Sequence, residues 1–375
     1  MQIGVPAETV VGETRVAATP ETVKKLKGLG HTVRVQSGAG VAASVTDIAY
    51  VAAGAEMTDA AGALGCALVL KVRTPSDAEA AQMQPGATLV GMLNPFDTEG
   101  LQRLARAGLT AYALEAAPRT TRAQSMDVLS SQANIAGYKA VMLAADTYQR
   151  FFPMLMTAAG TVKAARVVIL GVGVAGLQAI ATAKRLGAVI EASDVRPGVK
   201  EQVESLGGKF IDVPCETEEE KEAAVGVGGY AKSMPPSWLE RQKAEVAKRV
   251  AQADVVISTA LIPGRPAPTL ITEDMVQSMK PGSIIVDLAA GKGPNGGGNC
   301  PISEADKTVV KHGVTLIGET NLPALVAADA SSLYARNVLD FLKLVLGKDG
   351  ALHVDLEDDI VAACLVTQGG QVRRK

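Results

Sequence analysis

The residues best suited to chemistry in this chain are three glycines and a carboxylate. Gly171, Gly173 and Gly176, in the run Gly171-Val-Gly173-Val-Ala-Gly176, follow the apolar stretch Arg166–Leu170 and open a helical pattern. In that context the spacing has a physical reading. Gly171 permits a tight turn, Gly173 lets the backbone approach a pyrophosphate, and Gly176 allows a helix to pack closely on a strand. The first N–H groups of the helix then face the anion. Asp194 comes twenty-three residues after Gly171, at the end of the next apolar run, where a carboxylate would accept hydrogen bonds from an adenosine ribose. Such a carboxylate repels a 2′-phosphate and points to NAD over NADP. Arg196 keeps the other reading open, because it could bind that phosphate instead.

Three further groupings could carry function. Pro118–Gln132 brings Arg119, Arg122, Gln124, Asp127 and Ser130 to the end of an apolar run at Thr110–Leu114. Ligands of open α/β sheets bind outside the carboxyl ends of strands, so a cation, an amide and a carboxylate there suit a binding loop. The plain alternative is a solvated loop that caps the next helix through Ser131 or Asn134. Arg15 and Lys71 form another grouping, either lining the crevice or simply solvated. Finally, Asp212 to Pro236 yields no convincing element; its acidic run Glu216–Glu222 precedes Gly226, Gly228, Gly229 and Tyr230. A loop this long reads either as a lid or as a solvated acidic helix followed by a turn.

These groups need a scaffold, and the hydrophobic pattern supplies one. Strands are predicted at Gln2–Val5, Thr32–Val35, Ala67–Val72, Ala87–Met92 and Thr110–Leu114, with helices at Pro20–Leu29, Thr46–Ala53 and Thr98–Ala107 between them. A second series gives strands at Arg166–Leu170, Ala188–Ala192, Asp254–Ser258, Ser283–Leu288 and Val314–Ile317, with helices at Val174–Leu186 and Val199–Leu206. Ile135–Phe151 and Pro323–Leu346 read as long helices, and Ala351–Val372 as a hairpin-like tail turning at Gly369-Gly370. The fold class is therefore α/β: two Rossmann-like, doubly wound parallel-sheet domains, the second inserted into the first and joined by two long helices. The expected domains are residues 1–134 with 328–375, and residues 135–327.

Composition agrees with this and excludes other classes. At about 150 residues per domain, 375 residues make two or three. With 37 Lys+Arg against 39 Asp+Glu the net charge is −2, so a nucleic-acid partner and direct attraction to lipid are not expected. Aromatic residues are 3% and apolar ones 47%, which suits a parallel sheet built from Val, Ile, Leu and Ala. The longest uncharged stretch, Val167–Ala183, falls short of a membrane span, and Met1–Pro6 carries no secretory signal. Cys66, Cys215, Cys300 and Cys364 lie far apart and read as reduced cytosolic thiols. Three histidines, His31, His312 and His353, are too few for a His-rich metal site, and no metal is expected.

Together these motifs resemble the NAD(H)-binding component, domain I, of the proton-translocating NAD(P) transhydrogenases, a family related to the alanine dehydrogenases. The resemblance runs through nearly the whole chain. Pro118–Gln132 is similar to the family's Arg-Gln-Asp loop, which makes Arg119, Gln124, Asp127 and Ser130 the implied catalytic set at the nicotinamide end. The implied cofactor-binding set is Gly171, Gly173, Val174, Ala175, Gly176, Asp194, Gly229, Tyr230, Ala260 and Leu261. Gly228–Met234 resembles the mobile loop, with Tyr230 and Met234 closing over nucleotide, which favours the lid reading. The chain departs from the pattern at Asp287–Cys300, where Gly291–Asn299 looks lengthened and predicts a looser loop.

The resemblance leaves two activities open. In alanine dehydrogenases an Arg and a Lys hold the substrate carboxylate, matched here by Arg15 and Lys71, and a His acts as acid and base. Asn94 stands at that His position and cannot titrate near neutral pH; of the three histidines only His312 could lie near a strand end of the crevice. Hydride transfer between two nicotinamides needs no acid or base, only near-attack geometry with water excluded. The expectation is a NAD(H)-binding subunit, active only with an NADP(H)-binding subunit and a membrane-spanning proton-channel subunit. It would be a homodimer, cytoplasmic and peripheral to the inner membrane through its partners. A stand-alone NAD-dependent alanine dehydrogenase is the alternative.

Overall fold

The computed structural model describes residues 1–225, 234–347 and 350–374, and the chain divides into two compact units. One comprises Met1–Gln132 and Pro323–Lys375, the other Ala133–Leu322.

The first unit is an eight-stranded sheet. Its strands lie side by side as Gln371–Val372, Leu365–Gln368, Thr110–Ala113, Thr88–Met92, Leu68–Arg73, Gln2–Val5, Thr32–Gln36 and Glu56–Thr58. The last six are parallel, with Ile3 opposite Val33 on one side and Leu68 on the other. Numbered by appearance these six run 3-2-1-4-5-6, the order that opens a crevice where the winding reverses, between Gln2–Val5 and Leu68–Arg73. Strands buried on both faces demand continuous apolar sequence, and Leu68, Val69, Leu70 and Val72 supply it. The tail adds helix Asp359–Cys364 and an antiparallel hairpin at the sheet edge, turning through Gly369 and Gly370 at φ +61° and +74°. Positive φ at both turn residues is what a type I′ two-residue hairpin requires, and glycine takes it without steric cost.

The second unit repeats the plan. Lys209–Phe210, Val189–Ser193, Arg166–Leu170, Val255–Ser258, Ile284–Asp287 and Val314–Ile317 are parallel and again run 3-2-1-4-5-6. Thr308–Lys311 closes one edge antiparallel to Val314–Ile317. Apolar side chains on both faces of this sheet form two cores, one around Val167, Ile169, Ile180 and Ile257 and one around Val168, Val250, Val256 and Ile285.

Several elements differ from the sequence expectation. The first long helix spans Val128–Thr147 instead of Ile135–Phe151, because Asp127 caps it: its carboxylate accepts the Ser130 N–H at 2.9 Å and the Ser130 hydroxyl at 2.6 Å. Ser131 and Asn134 are not the caps. The second long helix begins at Ala327, after a 3₁₀ turn at Leu322–Val326. Within the expected structureless segment the acidic run forms helix Glu218–Val225, and a further helix, Pro236–Val250, follows it. Among the described residues no helix is long and apolar enough to cross a membrane, and no cluster of His, Cys, Asp and Glu could hold a metal ion.

Candidate nucleotide-binding site

The crevice of the second unit opens where Arg166–Leu170 and Val255–Ser258 end. The first strand runs into Gly171, whose φ of +91° is a left-handed conformation that glycine alone takes freely. A Cβ on Gly171 would stand 2.8 Å from Thr259 Oγ1, whose hydroxyl donates to the Gly171 carbonyl at 2.9 Å. A Cβ on Gly176 would meet that same carbonyl oxygen at 2.0 Å, so the helix lies as close to the turn as backbone permits. Gly173 is different. It is the N-cap of helix Val174–Arg185, and among the described residues no side chain caps that helix and nothing lies within 4 Å along the direction a side chain would take. Uncapped N–H groups beside open space fit a phosphate, which a Cβ at Gly173 would crowd. The residues present therefore fit a dinucleotide.

Asp194 follows the next strand and is bound to the turn itself. Its Oδ2 accepts the Val172 N–H at 2.7 Å, and its Oδ1 accepts the Arg196 N–H at 2.9 Å. The Arg196 guanidinium adds a forked pair, Nε to Oδ1 at 2.9 Å and Nη2 to Oδ2 at 3.0 Å, and reaches the Val172 carbonyl at 3.1 Å.

Past Thr259, the Asn299 side chain accepts the Ala260 N–H at 3.1 Å and donates to the carbonyls of Ala260 and Pro268 at 2.9 and 2.8 Å. Asn299 is held in turn by buried Asp287, which also accepts from Ser258 Oγ, Ala289 N, Cys300 N and Ser303 Oγ. The expected loose loop at Gly291–Asn299 is thus anchored at its end, because its last residue braces Ala260. Asn299 and Asp287 were missed as site residues; a polar pair flanking a glycine run was the available signal. Both backbone groups of Ala260 are taken, while Leu261 beside it is exposed. The expected contacts at Gly229 and Tyr230 lie outside the described residues. Met234 is buried with Val213 and Trp238, and the Trp238 ring N–H donates to Val213 O at 3.1 Å.

In the first unit, Arg119 is exposed on the loop after Thr110–Ala113 and Gln124 on the 3₁₀ turn Thr121–Met126 that follows, while Asp127 and Ser130 pair with each other at the helix start. The loop is tied down at two points that sequence reasoning did not identify. Asn337 donates to Ser125 O at 2.7 Å and accepts the Ser131 hydroxyl at 2.7 Å, and Arg122 forks onto Asp358 and also reaches Asp359.

Arg15 and Lys71 are buried and engaged. Arg15 forks onto Glu13 at 2.7 and 2.6 Å and donates to Gln132 at 2.7 Å. Burial alone would raise the Glu13 carboxyl, but hydrogen bonds and charge from Arg15, with Arg73, outweigh it and hold the group at about 2. Lys71 Nζ sits 2.7 Å from Glu79 and 3.3 Å from Glu8, and Glu8 also takes the N–H groups of Val72 and Arg73. Glu115, where burial pushes the carboxyl up, accepts the N–H groups of Leu93 and Asn94, leaving Asn94 exposed at φ +51°. Among the described residues no histidine stands at the carboxyl end of a crevice strand. His31 precedes strand Thr32–Gln36, and a Cβ on Gly350, near His353 in the chain, would lie 3.8 Å from its ring. His312 turns into Val314–Ile317 at the amino end of that strand and pairs with Glu273 at 2.8 Å, so the expectation that it could serve the crevice is corrected.

Residues 4–136 match the family model for the alanine dehydrogenase/PNT N-terminal domain, and residues 140–375 match the C-terminal domain of the same family. The chain belongs to the alanine dehydrogenase/PNT family. Within it, the chain is 53% identical to the first of the polypeptides that make up NAD(P) transhydrogenase subunit alpha in Rhodospirillum rubrum, over 99% of this chain and 97% of that one. A solved transhydrogenase from Sinorhizobium meliloti superposes with a TM-score of 0.89 at 46% identity, covering 99% of this chain and 100% of the other. A solved L-alanine dehydrogenase is more distant, with a TM-score of 0.80 at 30% identity over 99% of this chain and 96% of its own. The α/β fold with parallel sheets is common to both.

Proposed function

We propose that this chain is the NAD(H)-holding component of a transhydrogenase, passing hydride between NADH and NADP⁺ held on a partner subunit, with the exchange coupled to proton movement through a membrane-spanning subunit. The unit Ala133–Leu322 is the NAD(H)-binding domain and the remainder is the second domain. One observation carries the reading: the chain pairs a cradle suited to a dinucleotide with crevice strands at whose carboxyl ends, among the described residues, no imidazole stands, Asn94 holding the position where amine chemistry would need one. When bound, NADH supplies the hydride. The chain's own residues hold and orient it: the N–H groups after Gly173 and those of Val174 and Ala175 bind pyrophosphate, and Asp194 accepts the adenosine ribose. Val174, Gly176, Ala260 and Leu261 shape the crevice with Gly229 and Tyr230, and Arg119, Gln124, Asp127 and Ser130 orient the nicotinamide. Arg15 and Lys71 are structural in this reading. We further propose a homodimer, cytoplasmic and attached to the inner membrane through its partners.

The test is an assay of the purified chain with NAD⁺ and L-alanine, then with NADH and an NADP(H)-binding transhydrogenase subunit. No reduction of NAD⁺ by alanine and partner-dependent transfer are expected. Alanine-dependent NADH formation by the chain alone would overturn the proposal.

A further inference from the structure

The contacts of Asp194 raise a problem that its role as ribose acceptor does not solve. A carboxylate offers about four lone-pair positions, and in Asp194 four donors already point at them. Two are backbone: Val172 N–H on Oδ2 and Arg196 N–H on Oδ1. The other two come from the Arg196 side chain, Nε on Oδ1 and Nη2 on Oδ2. The carboxylate is covered, its side chain being 8% exposed against 27% for Arg196.

The two sets of donors differ in what they can give up. The backbone pair belongs to the glycine turn and to the strand end, and each oxygen keeps one of these bonds whatever the side chain does. The carboxylate is therefore oriented without the guanidinium. The guanidinium is the removable partner: it is a quarter exposed, and its stem leaves from residues 194–196, between strand Val189–Ser193 and the 3₁₀ turn Pro197–Val199. Two vicinal hydroxyls reaching Asp194 need the positions that Nε and Nη2 fill.

We propose that Arg196 is a specificity-determining residue that competes with the ribose hydroxyls for Asp194 and, as its counter-ion, weakens the exclusion of a 2′-phosphate. The inference rests on the reading of Asp194 as the ribose acceptor. Two consequences follow from the charges. NADH binding carries the cost of breaking the forked ion pair, so the affinity is lower than the bare carboxylate would give. A 2′-phosphorylated nucleotide, in contrast, meets a neutral pair and a nearby cation in place of an uncompensated anion, so discrimination is milder than Asp194 alone would impose.

The test is a fluorescence or calorimetric titration of the full chain with NADH and with NADPH, comparing wild type, Arg196→Met and Asp194→Asn. Arg196→Met keeps the apolar stem and removes the side-chain donors. It is expected to tighten NADH about 2–5-fold, the range set by a partly exposed ion pair, and to weaken NADPH, so that the ratio of the two affinities widens. Weaker or unchanged NADH binding would overturn the proposal, since the guanidinium would then be positioning the carboxylate. If Arg196→Met lowers the thermal midpoint sharply, Arg196→Lys serves in its place: one ammonium cannot fork, so about 2–3-fold tighter NADH binding is expected from a single lost bond, and no gain overturns the idea. Asp194→Asn separates the two failures. Unchanged NADH affinity in that variant removes the ribose reading itself and the proposal with it. Weakened NADH binding there, without a gain in Arg196→Met, removes the proposal and leaves the ribose reading standing.

Discussion

Both units place their strands in the same 3-2-1-4-5-6 order, so each opens a crevice at an equivalent point of its own sheet, yet the two crevices are furnished in opposite ways. In Ala133–Leu322 the loop leaving the first strand is glycine, its helix start is uncapped, and the nearby carboxylates Asp194 and Asp287 hold backbone N–H groups in place. In the other unit the loop leaving Gln2–Val5 carries Glu8, Glu13 and Arg15, the neighbouring strand carries Lys71 and Arg73, and these pair with one another, all but the half-buried Arg73 below the surface. Topology decides where a crevice opens; side chains decide whether an anion finds free N–H groups or a closed set of ion pairs.

The largest effect should come from opening the closed crevice. Lys71→Met strands Glu8 and Glu79 as buried carboxylates without their cation, and a loss of about 3–5 kcal/mol is expected in urea unfolding. A loss below about 1 kcal/mol, the scale of an exposed pair, would mean the crevice is solvated and the contrast between the units is false.

Next in size is a pH effect from the same cluster. Glu13 is held at about 2 in the folded chain against an ordinary 4.5, so its contribution is present above 4.5 and is lost as pH falls toward 2. Glu115, raised by burial, works oppositely: its contribution is present below the ordinary value and is lost as pH rises through its folded one. Glu13→Gln should flatten the acid-side fall in thermal midpoint, and Glu115→Gln should remove the loss toward neutral pH. Parallel curves for either variant and the wild type would show that its carboxyl does not drive the profile.

The open crevice should answer differently, through binding more than stability. Gly176→Ala drives a Cβ into the Gly171 carbonyl and is expected to cost about 1–3 kcal/mol of stability along with binding. Gly173→Ala meets nothing among the described residues, so the midpoint should stay within about 1 °C while the NADH dissociation constant rises at least about tenfold, near 1.4 kcal/mol. Equal midpoint losses in the two variants would erase the distinction. Smallest is Asn299→Ala. It orphans Ala260 N–H and should cost about 1–2 kcal/mol, read as faster amide exchange at Ala260.

The two crevices also differ in how far sequence revealed them. The glycine turn was legible because its signal is local: an apolar run, three glycines and a helical pattern within a dozen residues. Arg166–Leu170 and Val314–Ile317 have the bounds that periodicity predicts. The start of helix Val128–Thr147 was not, since the Asp127 cap sits inside a polar stretch that reads equally well as a loop. Short edge strands such as Glu56–Thr58 and Thr308–Lys311 carry too few residues for a period to register. Helix Pro236–Val250 buries only Trp238, Val246 and Val250, leaving a weak apolar stripe. The saturation of Arg15, Lys71 and Asp194 is a tertiary property. Arg15 meets a partner 117 residues away in Gln132, and such pairings have no trace in local spacing.

The central claim is that this chain holds NAD(H) for direct transfer to a second nicotinamide, and isotope tracking tests it most directly. NADH deuterated at the transferred position of C4 would be mixed with the chain, an NADP(H)-binding transhydrogenase subunit and NADP⁺, and the NADPH analysed by mass spectrometry. The account predicts full carriage of the deuterium into NADPH, with none formed when the chain is omitted. Deuterium lost to water, or NADPH formed without label, would contradict it.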